Sequence, residues 1–222
     1  MLTVGSILCV GHRTAILLYG QSVMRTAEDM SRNRRSRDAA RAALVEATIF
    51  VLAHTNPDKI TVDAIAKQAR CAKGLIVYHF GGKAMLMSAA IDRLQERRTA
   101  QWVTCFASVT SIPDAMDQSW NLLTNESAQG LCLAWSRIPA NADHMVSKTF
   151  EDFALALGDA YADLAHRSGV EAKLMPAEAG WWLGSLILGI GTALASGGDR
   201  AQLRSAYMAS WLGMLAIADQ AL

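Results

Sequence analysis

The chain has 222 residues and a net charge of +1, and 52% of its residues are hydrophobic. This composition supports a sizeable folded core and excludes a largely disordered chain. The four cysteines form no close pair, which excludes a C-x-x-C metal or redox motif and an obvious disulfide framework. A reducing cytoplasm is therefore the expected environment.

Charge is distributed unevenly along the chain. Residues 24–98 carry 14 lysines and arginines against 8 acidic residues, whereas residues 99–222 carry 6 against 12. This uneven distribution of charge indicates that residues 24–98 contact a polyanion and that residues 99–222 do not. A solvated charged surface is the alternative interpretation.

The first 30 residues carry no clear structural signal. Residues 1–22 are mildly apolar but lack a cationic start and are interrupted by His12 and Arg13, so no secretory signal is predicted. Because Met24 and Met30 lie just before a basic segment, we expect residues 1–30 to be a disordered extension or to reflect an over-early start.

The rest of the chain is predicted to be all helical, because strand-like alternation is nearly absent. The first helix runs from Asp38 to Ala53, with apolar residues at i, i+3, i+4, i+7 and i+8, and Asn56-Pro57 ends it. Thr61 is placed to cap a second helix with its hydroxyl group.

A short third helix follows a turn at residues 70–72 and ends at a pair of glycines. Ile76 and Phe80 are four residues apart and are expected to face the first two helices. A longer helix begins at Lys83 and runs to about Val103. Two short helices joined by a tight turn, after a supporting helix and among many cations, form the helix-turn-helix layout of DNA-binding proteins.

The outer face of the third helix is the predicted DNA contact. Gly74 permits close backbone approach, the Tyr78 hydroxyl and the His79 ring can donate to phosphate oxygens, and Lys83 adds a cation at a helix start. Arginines before the first helix are expected to follow the phosphate backbone or enter a minor groove, a solubilising role being the alternative. The predicted DNA-binding residues are Arg34, Arg35, Arg37, Thr61, Lys73, Gly74, Leu75, Tyr78, His79 and Lys83.

Two segments, T-V-D-A-I-A from Thr61 to Ala66 and A-K-G-L-I-V-Y-H-F-G-G-K-A-M-L from Ala72 to Leu86, resemble the signature of the TetR family of transcription regulators. The resemblance covers about 50 residues. It implies a three-helix DNA-binding domain at residues 31–84 and a helical effector-binding and dimerisation domain at residues 85–222.

Three residues depart from the family pattern. Arg70 stands where the family usually has glycine, and a side chain there is expected to be strained. Ala72 replaces a capping serine or threonine, which removes about 1 kcal/mol of helix stabilisation. Val77 replaces a tyrosine that often reaches the DNA, so that contact is expected to be missing.

Further helices are predicted at roughly 113–124, 128–138, 142–167, 177–196 and 200–220. The stretch 179–198 has no charge and is long enough to span a bilayer. Its six glycines instead favour a helix packed closely against other helices, so no membrane span is expected.

The family resemblance implies an effector site in the middle helices and a dimer interface on the last two. Aromatic and polarizable side chains suggest an apolar or aromatic ligand, with ordinary core packing as the alternative for each. The candidate ligand-binding residues are Trp102, Phe106, Met116, Trp120, Cys132, Trp135, Phe150 and Phe153. The candidate interface residues, for which packing within one protomer is the alternative, are Trp182, Gly184, Ser185, Gly191, Leu203, Tyr207, Trp211 and Met214.

The sequence thus predicts a homodimeric repressor that a small molecule releases from a palindromic operator. The first alternative is a ligand-independent DNA-binding regulator. A helical enzyme or a membrane-associated protein that does not bind DNA is the less favoured alternative. No metal, cofactor or catalytic site is expected, because the common nucleophile, zinc and nucleotide-binding motifs are missing from the sequence.

Overall fold

The computed structural model describes residues 11–55, 59–136, 145–171 and 174–216, and all the regular secondary structure in these ranges is helical. The helices are α1 (Gly11–His54), α2 (Val62–Gln68), α3 (Gly74–Phe80), α4 (Lys83–Ala107), α5 (Ile112–Ala128), α6 (Leu131–Ser136), α7 (Met145–Arg167), α8 (Pro176–Ala195) and α9 (Arg200–Ala216). The all-α fold class predicted from the sequence is confirmed.

The chain divides into two compact units, Met1–Ala43 and Leu44–Leu222. The first unit holds most of α1, whose described part begins at Gly11. The expected disorder of residues 1–30 stays a prediction, as does the domain boundary between residues 84 and 85, and residues 1–10 lie outside the described part of the chain.

The predicted helices correspond well to the observed ones. The predicted helix at 38–53 lies inside α1, α4 begins at Lys83 as expected, and α8 and α9 begin within one residue of their predicted starts. Helix α6 begins three residues later than predicted, because α5 continues to Ala128 and Gly130, at φ 72°, separates the two helices. Asn56 and Pro57 lie outside the described residues.

One core of the second unit, here the amino-terminal core, joins the end of α1 to α2, α3 and α4. Its fully buried members include Leu52, Ile65, Ile76 and Leu86, one from each of these helices. Burying each such side chain stabilises the fold by roughly 1.5–3 kcal/mol. The predicted inner stripe of the first helix is confirmed, since all of its members are buried: Leu44, Ala47, Thr48, Val51 and Leu52.

Helix α6 belongs to the same core although it is distant in sequence. Leu131, Ala134 and Trp135 are buried in it. The turn before α6 also touches the end of α1, because a Cβ atom on Gly130 would lie 3.0 Å from Cβ of Ala53 and 3.1 Å from its carbonyl oxygen. Helix α6 therefore connects α5 directly to the helices that support α3.

A second core, here the carboxy-terminal core, is built from α4, α5, α7, α8 and α9 and is rich in aromatic rings. Phe106 and Trp211 meet edge to face with centroids 5.8 Å apart. The Tyr207 hydroxyl donates to Ser119 Oγ at 2.8 Å, and burial raises the pKa of Tyr207 to about 12. The phenol therefore remains a protonated donor at neutral pH.

Helices α7 and α8 approach so closely that side chains are excluded between them. A Cβ atom on Gly158 would lie 1.9 Å from the carbonyl oxygen of Pro176, and one on Gly180 would lie 1.9 Å from that of Ala154. No ordinary contact is that short, so both positions require glycine. The glycine-rich stretch predicted to pack closely therefore packs against α7 of its own chain.

None of the described helices is, on its own, long and apolar enough to cross a membrane. Helices α3 and α4 meet the length and composition criteria only as a pair, and they are bent by 67° at their junction.

The end of α2 forms a Schellman motif around Arg70. The Cys71 N–H donates to the Ala66 carbonyl at 3.0 Å and the Arg70 N–H donates to the Lys67 carbonyl at 3.2 Å. Arg70 has φ 51°, the one positive value of any non-glycine residue in the described ranges. The strained position predicted from the missing glycine is confirmed.

Two other helices end in the same way but use glycine. Gly169 follows α7 at φ 67° and Gly197 follows α8 at φ 87°, each with the paired hydrogen bonds of the motif. The chain thus contains two glycine-terminated copies of the turn that Arg70 makes with a side chain.

We expect Arg70→Gly to raise the free energy of unfolding by about 0.5–1 kcal/mol in urea denaturation. Relief of left-handed strain contributes roughly 1–2 kcal/mol, and the added freedom of glycine in the unfolded chain offsets roughly 0.4–1 kcal/mol of it. Arg70→Ala is the matched control, because it removes the charge and keeps the Cβ atom. An equal gain in both variants would show that charge, and not backbone strain, is relieved.

Candidate DNA-binding surface

Helix α2 begins as the sequence predicts. Thr61 has an extended backbone, and its Oγ1 accepts the Ala64 N–H at 3.1 Å, so it caps the helix. Asp63 lies in the first turn, where its negative charge favours the positive end of the helix. The Thr61 hydroxyl, a predicted DNA contact, is therefore held at the start of α2.

Helix α3 has one buried face and one exposed face. Ile76 is fully buried and Phe80 nearly so, whereas Val77 and Tyr78 keep 61% and 62% of their surface exposed and Leu75 keeps 38%. The predicted inward orientation of Ile76 and Phe80 is confirmed. The outward face presents two aliphatic side chains and a phenol.

Val77 is more exposed than Leu75, although the sequence comparison treated it as a lost contact. An exposed valine on a helix can meet the methyl group of thymine by apolar contact. Val77 was left out of the predicted DNA-binding residues because it occupies the place of a tyrosine in the family signature, although its side chain can make an apolar contact.

The start and end of α3 follow from two small residues. No side chain caps its start, and the Ala72 carbonyl accepts the Leu75 N–H at 3.0 Å, so the predicted loss of a cap is confirmed. Gly81 ends the helix at φ 74° and donates its N–H to the Val77 carbonyl at 2.8 Å. Around Gly74 no other atom would come within 4 Å of a Cβ atom, so the backbone there is open to close approach.

Both lysines of the predicted site have partners within the chain. Lys73 Nζ pairs with Asp63 Oδ1 at 2.5 Å, with both side chains well exposed, and Lys83 Nζ donates to the Ile60 carbonyl at 2.5 Å. An ammonium group carries three donors, so each lysine retains donors for a phosphate. The pairing of Asp63 with Lys73 was not predicted from the sequence, and it places a negative charge beside Lys73.

His79 is half-buried, and its ring meets that of Tyr78 edge to face at 4.9 Å. Arg34, Arg35 and Arg37 are exposed on α1, in the first unit of the chain. The basic segment predicted as an arm is thus helical.

The candidate ligand-binding residues are mostly core residues. Five are buried in the carboxy-terminal core with Met116 packed against them, whereas Trp135 is buried in the amino-terminal core with Phe150 packed against it. The five are Trp102, Phe106, Trp120, Cys132 and Phe153. Their part in ligand binding stays a prediction.

An open groove of about 820 Å³ lies elsewhere, on the outer faces of α4 and α5. Its lining includes the polar residues Arg97, Gln101, Gln118 and Asn121, although most of the surface that faces the groove is apolar, and it contains none of the candidate ligand-binding residues. Cys105 also lines it, and burial raises the pKa of this thiol to about 11, so it remains protonated at neutral pH.

A buried ion pair that was not predicted from the sequence lies between α4 and α5. Glu126 Oε2 accepts from Arg98 Nε at 3.1 Å, and Glu126 Oε1 accepts from Trp102 Nε1 at 2.9 Å. Burial raises the pKa of Glu126, against the opposing effect of the Arg98 charge. The available signal was Arg98 itself, a charge four residues after Leu94 in an otherwise apolar stripe.

Several candidate interface residues face the interior of their own chain. Tyr207, Trp211 and Met214 are fully buried in the carboxy-terminal core, so the apolar stripe of α9 was assigned to the wrong partner. Gly184 lies against the Phe150 ring, and Gly191 lies against α5 and α6. Packing within one protomer therefore accounts for these five residues.

Helices α8 and α9 also carry exposed apolar side chains. Trp182 and Leu212 are exposed, and Trp182 Nε1 donates to Ser210 Oγ at 3.1 Å, which fixes the indole across the two helices. Ser185 is exposed on the same helix as Trp182, and Leu203 is half-buried. Leu212 was not among the predicted interface residues, because it lies on the side of α9 opposite the apolar stripe.

No group of three or more His, Cys, Asp or Glu side chains in the described ranges is arranged to hold a metal ion.

Comparison with known proteins supports the assignment of the amino-terminal helices. Residues 44–90 match the family model described as bacterial regulatory proteins of the tetR family. These residues include the end of α1, all of α2 and α3, and the start of α4. The comparison with curated proteins gives no match.

Solved structures share the fold at low sequence identity. A protein assigned to the TetR family of transcriptional regulators from a Rhodococcus species is 20% identical, with a TM-score of 0.63 over 80% of this chain and 99% of that one. A TetR-family regulator from Streptomyces coelicolor is 16% identical, with a TM-score of 0.62 over 80% and 83% of the two chains. One from Marinobacter aquaeolei is 18% identical, with a TM-score of 0.59 over 80% and 96%.

The family match falls on the helices whose exposed face was predicted to bind DNA, and the shared fold extends over most of the chain. The resemblance predicted from the sequence is confirmed: residues 44–90 form a helix-turn-helix DNA-binding domain of the tetR family, and most of the chain shares the fold of TetR-family transcriptional regulators.

Proposed function

We propose that the protein is a homodimeric, cytoplasmic repressor that leaves a palindromic operator when a small molecule binds its carboxy-terminal helices. The observation that carries the proposal is the two-sided character of α3. Ile76 and Phe80 anchor this helix in the amino-terminal core, so that Leu75, Val77 and Tyr78 project together from the surface.

In this proposal α3 enters the major groove of the operator. Leu75 and Val77 meet base edges by apolar contact, of which the thymine methyl group is the chief example. Tyr78, His79 and Lys73 donate to phosphate oxygens and fix the position of the helix without reading sequence. Specificity then comes from a small apolar face, while most of the affinity comes from the phosphates.

A dimer is needed to place two such helices in successive major grooves, about 34–36 Å apart. The exposed surfaces of α8 and α9, to which Trp182 and Leu212 each contribute, are the interface we propose. Tryptophan is enriched at the centres of interfaces, and both side chains are exposed in the single chain.

Ligand response is proposed to act through α6. This helix contributes Trp135 to the amino-terminal core, and the turn before it touches Ala53 of α1. A ligand that binds more tightly to one arrangement of α6 therefore shifts the support of α3. A regulator that binds DNA without a ligand is the second candidate, and it predicts that no small molecule changes DNA affinity.

We expect Tyr78→Ala to weaken operator binding about five- to tenfold through loss of one phosphate contact. The protein should stay folded, since exposed substitutions usually change stability by less than about 0.5 kcal/mol. An operator selected from fragments of the source genome, with fluorescence anisotropy as the readout, provides the measurement. Unchanged affinity in this variant would remove Tyr78 from the interface.

Lys73→Ala should reduce the slope of log affinity against log salt concentration by about 1, because one phosphate contact is lost. Arg200→Ala is the matched control, since it removes an equal charge from the exposed start of α9. Asp63→Asn should raise the affinity, because it removes the negative charge that pairs with Lys73. The contact assignment fails if the Lys73 and Arg200 variants show the same slope.

Leu212→Glu should convert the dimer to a monomer in sedimentation velocity at micromolar concentration, because a carboxylate would be buried in an apolar contact. Leu155→Glu places the same charge on an exposed leucine of α7 and should leave the mass unchanged. A Leu212→Glu protein that remains dimeric would locate the interface elsewhere.

A further inference from the structure

The guanidinium group of Arg98 is buried but only partly paired. The residue is 2% exposed, and its Nε bonds to Glu126, whereas Nη1 and Nη2 are inaccessible to solvent and have no hydrogen-bond partner among the residues that the structure describes. Four N–H donors are thus left without an acceptor in the described part of the chain.

Such donors are costly to bury. A buried donor without a partner costs roughly 1–3 kcal/mol, and more when it belongs to a charged group. Glu126 does not relieve this in the structure, because its two oxygens accept from Arg98 Nε and from Trp102 Nε1 and neither oxygen bonds to an Nη atom. An acceptor for the Nη edge must therefore come from outside the described side chains.

Two aromatic rings define the surroundings of this group. Cζ of Arg98 lies 5.3 Å from the ring centre of Trp135 and 5.1 Å from that of Phe153, and the two ring centres are 6.2 Å apart. The cation thus lies about equally far from the two rings and is held against both π faces. An apolar body bound beside the Nη edge would meet aromatic surface.

We propose that Arg98 is the recognition group of the effector site and that the effector is a carboxylic acid with an aromatic or aliphatic body. This inference rests on the proposed function, because it names the ligand class of a ligand-responsive regulator. The planar guanidinium presents paired donors that match the two oxygens of a carboxylate, and such charge-assisted pairs are about twice as strong as neutral ones.

Glu126 is compatible with a second carboxylate on the same arginine. It uses only Nε, so the Nη edge stays available, and Trp102 helps to hold it in place. Burial already raises its pKa, so protonation of Glu126 can accommodate the added negative charge. The ligand and Glu126 would then hold Arg98 from two sides.

The position of the site also connects it to the DNA-binding helices. Trp135, against which Arg98 lies, is buried in the amino-terminal core with Ile76 and Phe80 of α3. A ligand that displaces the Trp135 ring therefore acts directly on the core that supports α3.

The test compares acids with their uncharged amides on the full-length protein. Benzoate and octanoate, with benzamide and octanamide as matched neutral probes, are titrated by calorimetry up to about 10 mM. We expect at least one acid to bind about tenfold more tightly than its amide and to lower operator affinity. If no acid binds, or if acid and amide bind equally, the inference is wrong.

The variants identify the residue responsible. The double substitution Arg98→Met with Glu126→Gln removes both buried charges together, and we expect it to lose the preference for the acid. Arg97→Met is the matched control, because it removes the neighbouring arginine, whose side chain is one-third exposed and lines the outer groove. A double variant that keeps the preference would overturn the assignment.

If the double variant does not fold, Arg98→Lys supplies the second measurement. It keeps the charge but lacks the paired donors, so the acid preference should fall about tenfold. An unchanged preference would contradict the proposal. Operator binding by the ligand-free protein is measured in parallel, so failure of the acid test with intact DNA binding refutes only this inference, whereas loss of all duplex binding refutes the proposed function.

Discussion

The insertion of Ile76 and Phe80 into the amino-terminal core is the interaction on which the DNA-binding surface depends. These two side chains fix the rotation of a seven-residue helix that is too short to be stable alone. Once they are buried, the 3.6-residue period places Leu75, Val77 and Tyr78 outside. The chemistry of the exposed face is therefore separate from the packing that holds it, and its residues can differ between relatives without loss of the fold.

The sequence predicted those features that depend on neighbouring residues. The cap at Thr61 and the inner stripe of α1 follow from local conformational rules, the strained turn at Arg70 follows from the family resemblance, and the structure contains all three. The helical period of α9 was predicted correctly as well. The surface that covers its apolar stripe was predicted wrongly, because such a stripe shows that a face is covered and does not show whether the same chain or a second one covers it.

Two features that the sequence did not predict join residues far apart in the chain. Glu126 meets Arg98 across 28 positions, and Lys83 reaches the Ile60 carbonyl across 23. No periodicity encodes such pairs, because each depends on how distant segments pack together. The buried arginine nevertheless leaves a local trace, since a charge within an apolar stripe requires a partner.

The close contact of α7 and α8 limits how this protein can move. At Gly158 and Gly180 the carbonyl oxygens of one helix occupy the space where the other would carry side chains. Sliding one helix past the other would drive main-chain atoms together, and no rotamer change can relieve that overlap. These two helices should consequently move as one rigid unit, so any bending that the proposed ligand causes falls elsewhere, for example at the turn before the shorter α6.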